Sequence, residues 1–102
     1  MYKLVVSELA HDDLRGIVKY IKNNLCATGA AADTANEVQR CYARLKENPH
    51  MYALCNDERL ADMGYRKALV KNYILVFTID GTERAVNVNR FFYGAEDYYS
   101  KI

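Results

Sequence analysis

The stretch "GYRKALVKNYILVFTIDG", residues 64–81, decides the fold. Tyr65–Val70 and Tyr73–Ile79 are runs rich in β-branched, aromatic and aliphatic residues, and Lys71-Asn72 is the turn between them. The second run is almost purely apolar, as expected for a central strand with little solvent on either face. Asp80-Gly81-Thr82 then supplies a second turn, since Asp-Gly is a strong hairpin signal, and Arg84–Tyr93 a third strand. The result is a three-stranded antiparallel meander. Arg66, Lys67 and Lys71 stand at its front, where they either solvate an edge or await an anion.

Upstream, the periodicity changes. "YKLVV" at 2–6 reads as a short strand, and Ser7 as the N-cap of a helix whose early turns carry Glu8, Asp12 and Asp13. Ala10, Leu14, Ile17, Val18, Ile21 and Leu25 recur at three- and four-residue steps, so they define one apolar face. Asp13, Arg15, Lys19 and Lys22 fall on the opposite, solvated face. "NNLCATG" at 23–29 ends this helix, with Gly29 able to take a left-handed conformation. A second helix runs over about 30–47, striped by Ala31, Ala35, Val38, Tyr42 and Leu45 with Cys41 beside them. Asn48-Pro49 stops it, because a residue before proline avoids helical geometry. Residues 50–63 show no firm period and read as an irregular connection.

The order is therefore strand, antiparallel helix hairpin and meander: an α+β domain with the helices packed on one sheet. A chain of 102 residues supports one core, so residues 1–102 form a single domain. No run reaches the roughly 18 apolar residues of a membrane span. The N-terminus meets acids too early for a signal peptide, and the chain reads as cytoplasmic. Cys26, Cys41 and Cys55 are scattered and form no C-x-x-C pair, so they are expected reduced. With only His11 and His50 to join them, neither a metal site nor a cofactor is expected. Net charge is +1, which removes the bulk basic excess of a nonspecific nucleic-acid binder. Anion recognition, if present, rests on a local cluster.

No catalytic motif of high specificity is present. What remains is a pattern of side-chain directions. Arg66 alternates with Ala68 and Val70 on one face, and Tyr65, Lys67 and Leu69 share the other. In the last strand Val86, Val88, Arg90 and Phe92 alternate with Asn87, Asn89, Phe91 and Tyr93. Arg66 and Arg90 thus interrupt apolar rows. An arginine so placed is either paired structurally with its head near water, or is part of a phosphate clamp, for which its planar fork is suited. Tyr93, Tyr98 and Tyr99 near the C-terminus either plug a core or interface, or stack on bases and donate a proton. Glu96 and Asp97 beside them oppose attraction of nucleic acid.

Taken in order, four segments resemble the RelE/ParE toxin superfamily. "YKLVVSELAHDDLRGIVKYI" is similar to its opening strand, serine turn and A-x-x-DL-x-x-I-x-x-YI helix. "LKENP" resembles the L-x-x-x-P close of the second helix. "GYRKALVKNYILVFTID" resembles the G-Y-R-x-x-x-V-x-N-Y-x-I-x-Y-x-I-D meander, and "NRFFYGAEDY" the closing R-V-x-H-G-x-R-D segment. The resemblance implies a toxin of a bacterial type II toxin–antitoxin module, neutralised by a cognate antitoxin. RelE-like members cleave mRNA in the ribosome; ParE-like members poison DNA gyrase. For the first activity, the implied catalytic set is Arg66, Arg90 and Tyr93, with Lys67 and Lys71 as auxiliary anion-binding cations. Tyr93 stands where the family usually has histidine, and Glu96 where it has a second arginine. A tyrosine with a pKa of about 10 is a poor base at neutral pH. These departures, the long helices and the near-zero charge favour gyrase. Ribosome-dependent cleavage and a degenerate toxin retained for antitoxin binding are the alternatives.

Overall fold

The computed structural model describes residues 1–94 and 98–102. Strand β1 (Lys3–Val6) leads into helix α1 (Glu8–Lys19), which continues as a π-helical turn over Tyr20–Asn24. Helix α2 (Thr28–Glu47) and a short helix α3 (Glu58–Asp62) follow, then β2 (Arg66–Val70), β3 (Tyr73–Asp80) and β4 (Ala85–Tyr93). The strands form one sheet in the order β1-β4-β3-β2, with β1 parallel to β4 and the remaining pairs antiparallel. The expected meander is present, and the two long helices carry the chain back so that β1 lies beside the last strand.

Local chemistry accounts for the helix ends. The Ser7 hydroxyl accepts the Ala10 N–H at 3.0 Å and donates to the Asn89 carbonyl at 2.8 Å, so one cap also ties α1 to β4. At the far end the Leu25 N–H bonds to the Tyr20 carbonyl and the Ala27 N–H to that of Ile21, winding the last turn wide. Two expectations change here. Cys26, at φ 50°, takes the left-handed conformation, and Gly29 lies inside the first turn of α2. Leu25 is carried out of the apolar face and is largely exposed. The Tyr2 N–H meets the Lys46 carbonyl at 2.8 Å, which sets the end of α2 beside the start of β1 and makes the long helices antiparallel.

Both faces of the sheet are covered, which is why β3 is apolar from Ile74 to Phe77. Leu75 and Phe77 face α1 and α2, in a core with Val38, Cys41, Leu45, Val86, Val88 and Phe91. Val76 faces the other way, into a smaller cluster of Cys55, Leu60, Phe92 and Tyr98. Burying each such side chain contributes roughly 1.5–3 kcal/mol. The expectation of an irregular 50–63 segment is corrected here: Asp57 caps α3 by accepting the Leu60 N–H, and Leu60 seals the second face. A five-residue helix is too short to show a period.

The most consequential correction lies in β4. Val76 pairs with Arg90 and Phe77 with Val88, leaving Asn89 as the extra residue of a β-bulge. Alternation flips there. Phe91 joins Val86 and Val88 on the helix side, while Arg90 and Phe92 point to the α3 side, against the unbroken alternation expected from sequence. The second turn also differs in detail: Ala85 pairs with Asp80, Arg84 takes the left-handed conformation at φ 48°, and Asp80 accepts the Thr82 and Glu83 N–H groups.

Candidate functional site

The four cations and the tyrosine singled out in the sequence do not converge. Arg66 pairs with Phe77 on the helix side of the sheet, and Arg90 with Val76 on the other. Their strands are separated by β3, so two strand spacings, about 10 Å, lie between the backbones as well. Lys67 shares Val76 with Arg90, so those two stand in one row on the α3 face. Lys71 occupies the β2–β3 turn, exposed and left-handed at φ 57°. On the helix side it adds to the field that holds the Glu37 carboxyl below its usual range, an effect led by the Arg40 hydrogen bond.

Arg90 reaches round the open edge of β4. Beyond Val88 that edge has no β1 to pair with, and Asp13 of α1 takes its place. The Asp13 carboxylate accepts the Arg90 Nε at 2.8 Å, the Arg90 Nη2 at 3.2 Å and the Phe91 backbone N–H at 3.0 Å. The guanidinium also lies over the Phe92 ring, 4.9 Å from its centre. Arginine and aspartate side chains are only 25% and 18% exposed, so the fork-and-carboxylate pair is held largely out of water. The expectation that Asp13 belongs to a solvated face is therefore wrong. A signal existed: Asp13 is three residues after Ala10 and four before Ile17, on the helical stripe itself.

Arg66 has a neutral partner. Its Nη1 donates to the Tyr52 carbonyl at 2.6 Å, and the Arg44 Nε donates to the Tyr52 hydroxyl at 3.3 Å. Tyr52 in turn packs edge-on against Phe77. Leu54 bridges to Arg66, and the Lys67 N–H donates to the Ala53 carbonyl. Arg66 thus anchors the connection between α2 and α3 to the edge of β2.

Tyr93 lies in an open cleft of about 850 Å³ between α1 and the ends of β3 and β4, which Asp13, the Arg90 partner, also lines. It is 52% exposed and meets Tyr73 edge-on, with ring centres 5.9 Å apart. Tyr20, from the π-helical turn, lines the same cleft with Asp12 and Asp13. Burial, then the neighbouring Tyr93 and Tyr20, push the Tyr73 hydroxyl further above neutrality. Gly94 closes this end: its N–H bonds to the Asn72 carbonyl at 2.8 Å, and a Cβ there would meet that oxygen at 3.0 Å. Tyr98 is a buried plug stacked on Phe92, its ring centre 5.6 Å away. Glu96 and Asp97 lie outside the described residues.

All three cysteines are free; burial pushes the Cys41 and Cys55 thiols up, which keeps them protonated and unreactive. Among the described residues no group of His, Cys, Asp and Glu could hold a metal ion, and no helix is long and apolar enough to cross a membrane.

Comparison with known proteins agrees with this architecture. The model of the family described as ParE toxin of type II toxin–antitoxin system, parDE, matches residues 4–98. A chain from a chromosomal ParDE system of P. aeruginosa superposes with a TM-score of 0.72 at 17% identity, covering 91% of this chain and 96% of that one. A chain of the RelBE2 toxin–antitoxin complex from Mycobacterium tuberculosis gives 0.59 at 19% identity, covering 90% and 96%. One from the intact E. coli RelBE complex gives 0.59 at 17%, covering 95% and 100%. No curated protein sequence matches significantly.

Proposed function

Because this chain belongs to the ParE toxin family of type II toxin–antitoxin systems, we propose that it arrests growth by binding and inhibiting DNA gyrase. A cognate antitoxin holds it inactive until released. In this reading the toxin is a protein-binding inhibitor and turns over no substrate.

The observation that carries the choice is the engagement of the two arginines. A nuclease needs preorganised cations where phosphorane charge develops, and a proton-transfer group within hydrogen-bond reach of the same atom. Here Arg90 is held by Asp13 and Arg66 by the Tyr52 carbonyl, on strands that β3 separates. Tyr93 stands in a cleft that Asp13 also lines, and the neighbouring Tyr73 phenol is pushed away from neutral titration. Each of these facts supports a scaffold inherited with its cations now spent on structure. The test is expression of the toxin alone and together with the small protein encoded beside it. Growth should stop in the first case, with chromosomal damage signalling preceding any loss of protein synthesis, and resume in the second. An immediate halt in translation with intact DNA supports the ribosome-directed alternative. Unimpaired growth with folded protein supports a degenerate toxin.

A further inference from the structure

The tyrosine cleft is shaped by the π-helical turn that follows α1. A regular continuation of the helix keeps Leu25 on the apolar face; the wide turn carries it outward, and Tyr20 and Leu25 then line the cleft together. Tyr73 and Tyr93, paired across β3 and β4, form the strand wall. Tyr20, Leu25 and Tyr93 are each about half exposed. Single exposed apolar residues are ordinary on a protein surface, but three at the mouth of one cleft mark a contact site.

Two features of the lining select its occupant. The first is charge. Asp12 and Asp13 stand on the α1 wall, and among the described residues no lysine, arginine or histidine lines the cleft. Asp13 is engaged by Arg90 and the Phe91 N–H, which leaves the largely exposed Asp12 carboxylate. Its partner Arg15, three residues on, is also exposed, and such a pair is worth little. Arg15 itself belongs to another face of α1, beside His11, Lys19 and Lys22. The second feature is the rings. Tyr73 and Tyr93 meet edge-on, and both Tyr93 and Tyr20 lie close enough to Tyr73 to raise its phenol, behind burial as the leading cause. Neutral phenol rings present negative π faces, and their hydroxyl oxygens accept hydrogen bonds.

We propose that this cleft takes an arginine side chain presented by a protein partner, its guanidinium set against the Tyr20 and Tyr93 rings and the Asp12 carboxylate. A guanidinium is planar, weakly hydrated and rich in donors, so it stacks on aromatic faces and fills phenol and carboxylate acceptors together. The compact, strongly hydrated ammonium of lysine does this less well. A nucleotide can stack on the rings, but its phosphate meets Asp12 and finds no cation among the described lining residues. The apolar rim at Leu25 calls for flanking side chains that a free cation lacks. The arginine therefore belongs to a chain, as arginines set among aromatic rings do at the centres of protein interfaces. The inference concerns the partner's chemistry and does not rest on gyrase being that partner, so a failed gyrase assay leaves it standing.

The test uses the full chain and four probes: acetyl-Leu-Arg-Leu-amide, the same peptide with citrulline for arginine, acetyl-arginine-amide, and adenosine monophosphate. Citrulline keeps the shape of arginine and removes its charge. Titration at millimolar concentrations, followed by tyrosine ring resonances, should move Tyr20, Tyr73 and Tyr93 with the arginine tripeptide. The citrulline peptide should bind about tenfold more weakly, a comparison that needs no variant. Asp12→Asn and Tyr20→Leu, both at exposed positions, should each weaken the arginine tripeptide about threefold; the second keeps apolar area and loses the ring. The proposal is overturned if the arginine tripeptide leaves the three rings still, if the citrulline peptide or adenosine monophosphate binds as tightly, or if both variants bind as the wild type does. Acetyl-arginine-amide should bind more weakly than the tripeptide. Equal binding overturns the assignment to a protein partner, because the rim at Leu25 then contributes nothing.

Discussion

Asp13 holds three donors from β4 with one carboxylate, while Arg66 makes one hydrogen bond to a neutral carbonyl. Removing Asp13 takes a bidentate partner from a largely buried arginine and the acceptor from the Phe91 N–H. Full burial of such a pair makes a break cost 3–5 kcal/mol; with residual solvent, Asp13→Ala should cost about 2–3 kcal/mol. Arg66→Ala should cost about 1–2 kcal/mol, its partner being neutral and near solvent. Urea unfolding monitored by tyrosine fluorescence measures both, and equal losses would contradict the distinction. The buried phenols predict a pH dependence of definite sign. Tyr42 is raised to about 12, and burial raises Tyr98 as well, with Cys55 adding to it. An unfolded tyrosine ionises near pH 10. Between pH 10 and 12 the unfolded chain releases protons that the native state keeps, so stability falls as pH rises, by up to about 1.4 kcal/mol per pH unit for each group. Below pH 9 these tyrosines contribute no slope. Tyr42→Phe should flatten part of the alkaline decline.

Among the elements, the β2–β3 turn separates charge from conformation. Lys71 is left-handed, a backbone state that glycine adopts freely and a β-branched residue resists. Lys71→Ile should therefore lower stability by about 1–2 kcal/mol, whereas Lys71→Gly should stay within about 0.5 kcal/mol because relief of strain offsets added chain entropy. Thermal melts of the two variants check this, and Lys71→Gly then serves as the clean deletion of the cation. What was legible in the sequence follows the range of the interaction. The meander, the Ser7 cap and the α2 stripe with Tyr42 arise from neighbours within a turn or a hairpin, and they stand where periodicity puts them. The bulge at Asn89, the role of Asp13 and the sealing by Leu60 depend on partners far along the chain; Asp13 and Arg90 are 77 positions apart. Strand alternation taken as unbroken set Arg90 beside Val88, and one extra residue reversed it.

For the whole molecule, a sheet covered on both faces leaves the tyrosine-lined cleft open between α1 and the ends of β3 and β4. The two arginines, which sequence left open between structural pairing and a phosphate clamp, tie α1 and the α2–α3 connection to the strands. Family membership was legible because four short segments keep their order over nearly the whole chain; the molecular target was not, because it depends on where those side chains end up. The central claim is that this toxin acts on gyrase without catalysis. Its most direct measurement is a gyrase supercoiling assay with purified toxin, run beside ribosome-bound mRNA. The account predicts inhibited supercoiling and whole mRNA, with Arg66→Ala losing inhibition only in proportion to its loss of folded protein. Clean mRNA cleavage that disappears in Arg66→Ala and in Tyr93→Phe, with supercoiling untouched, would contradict it.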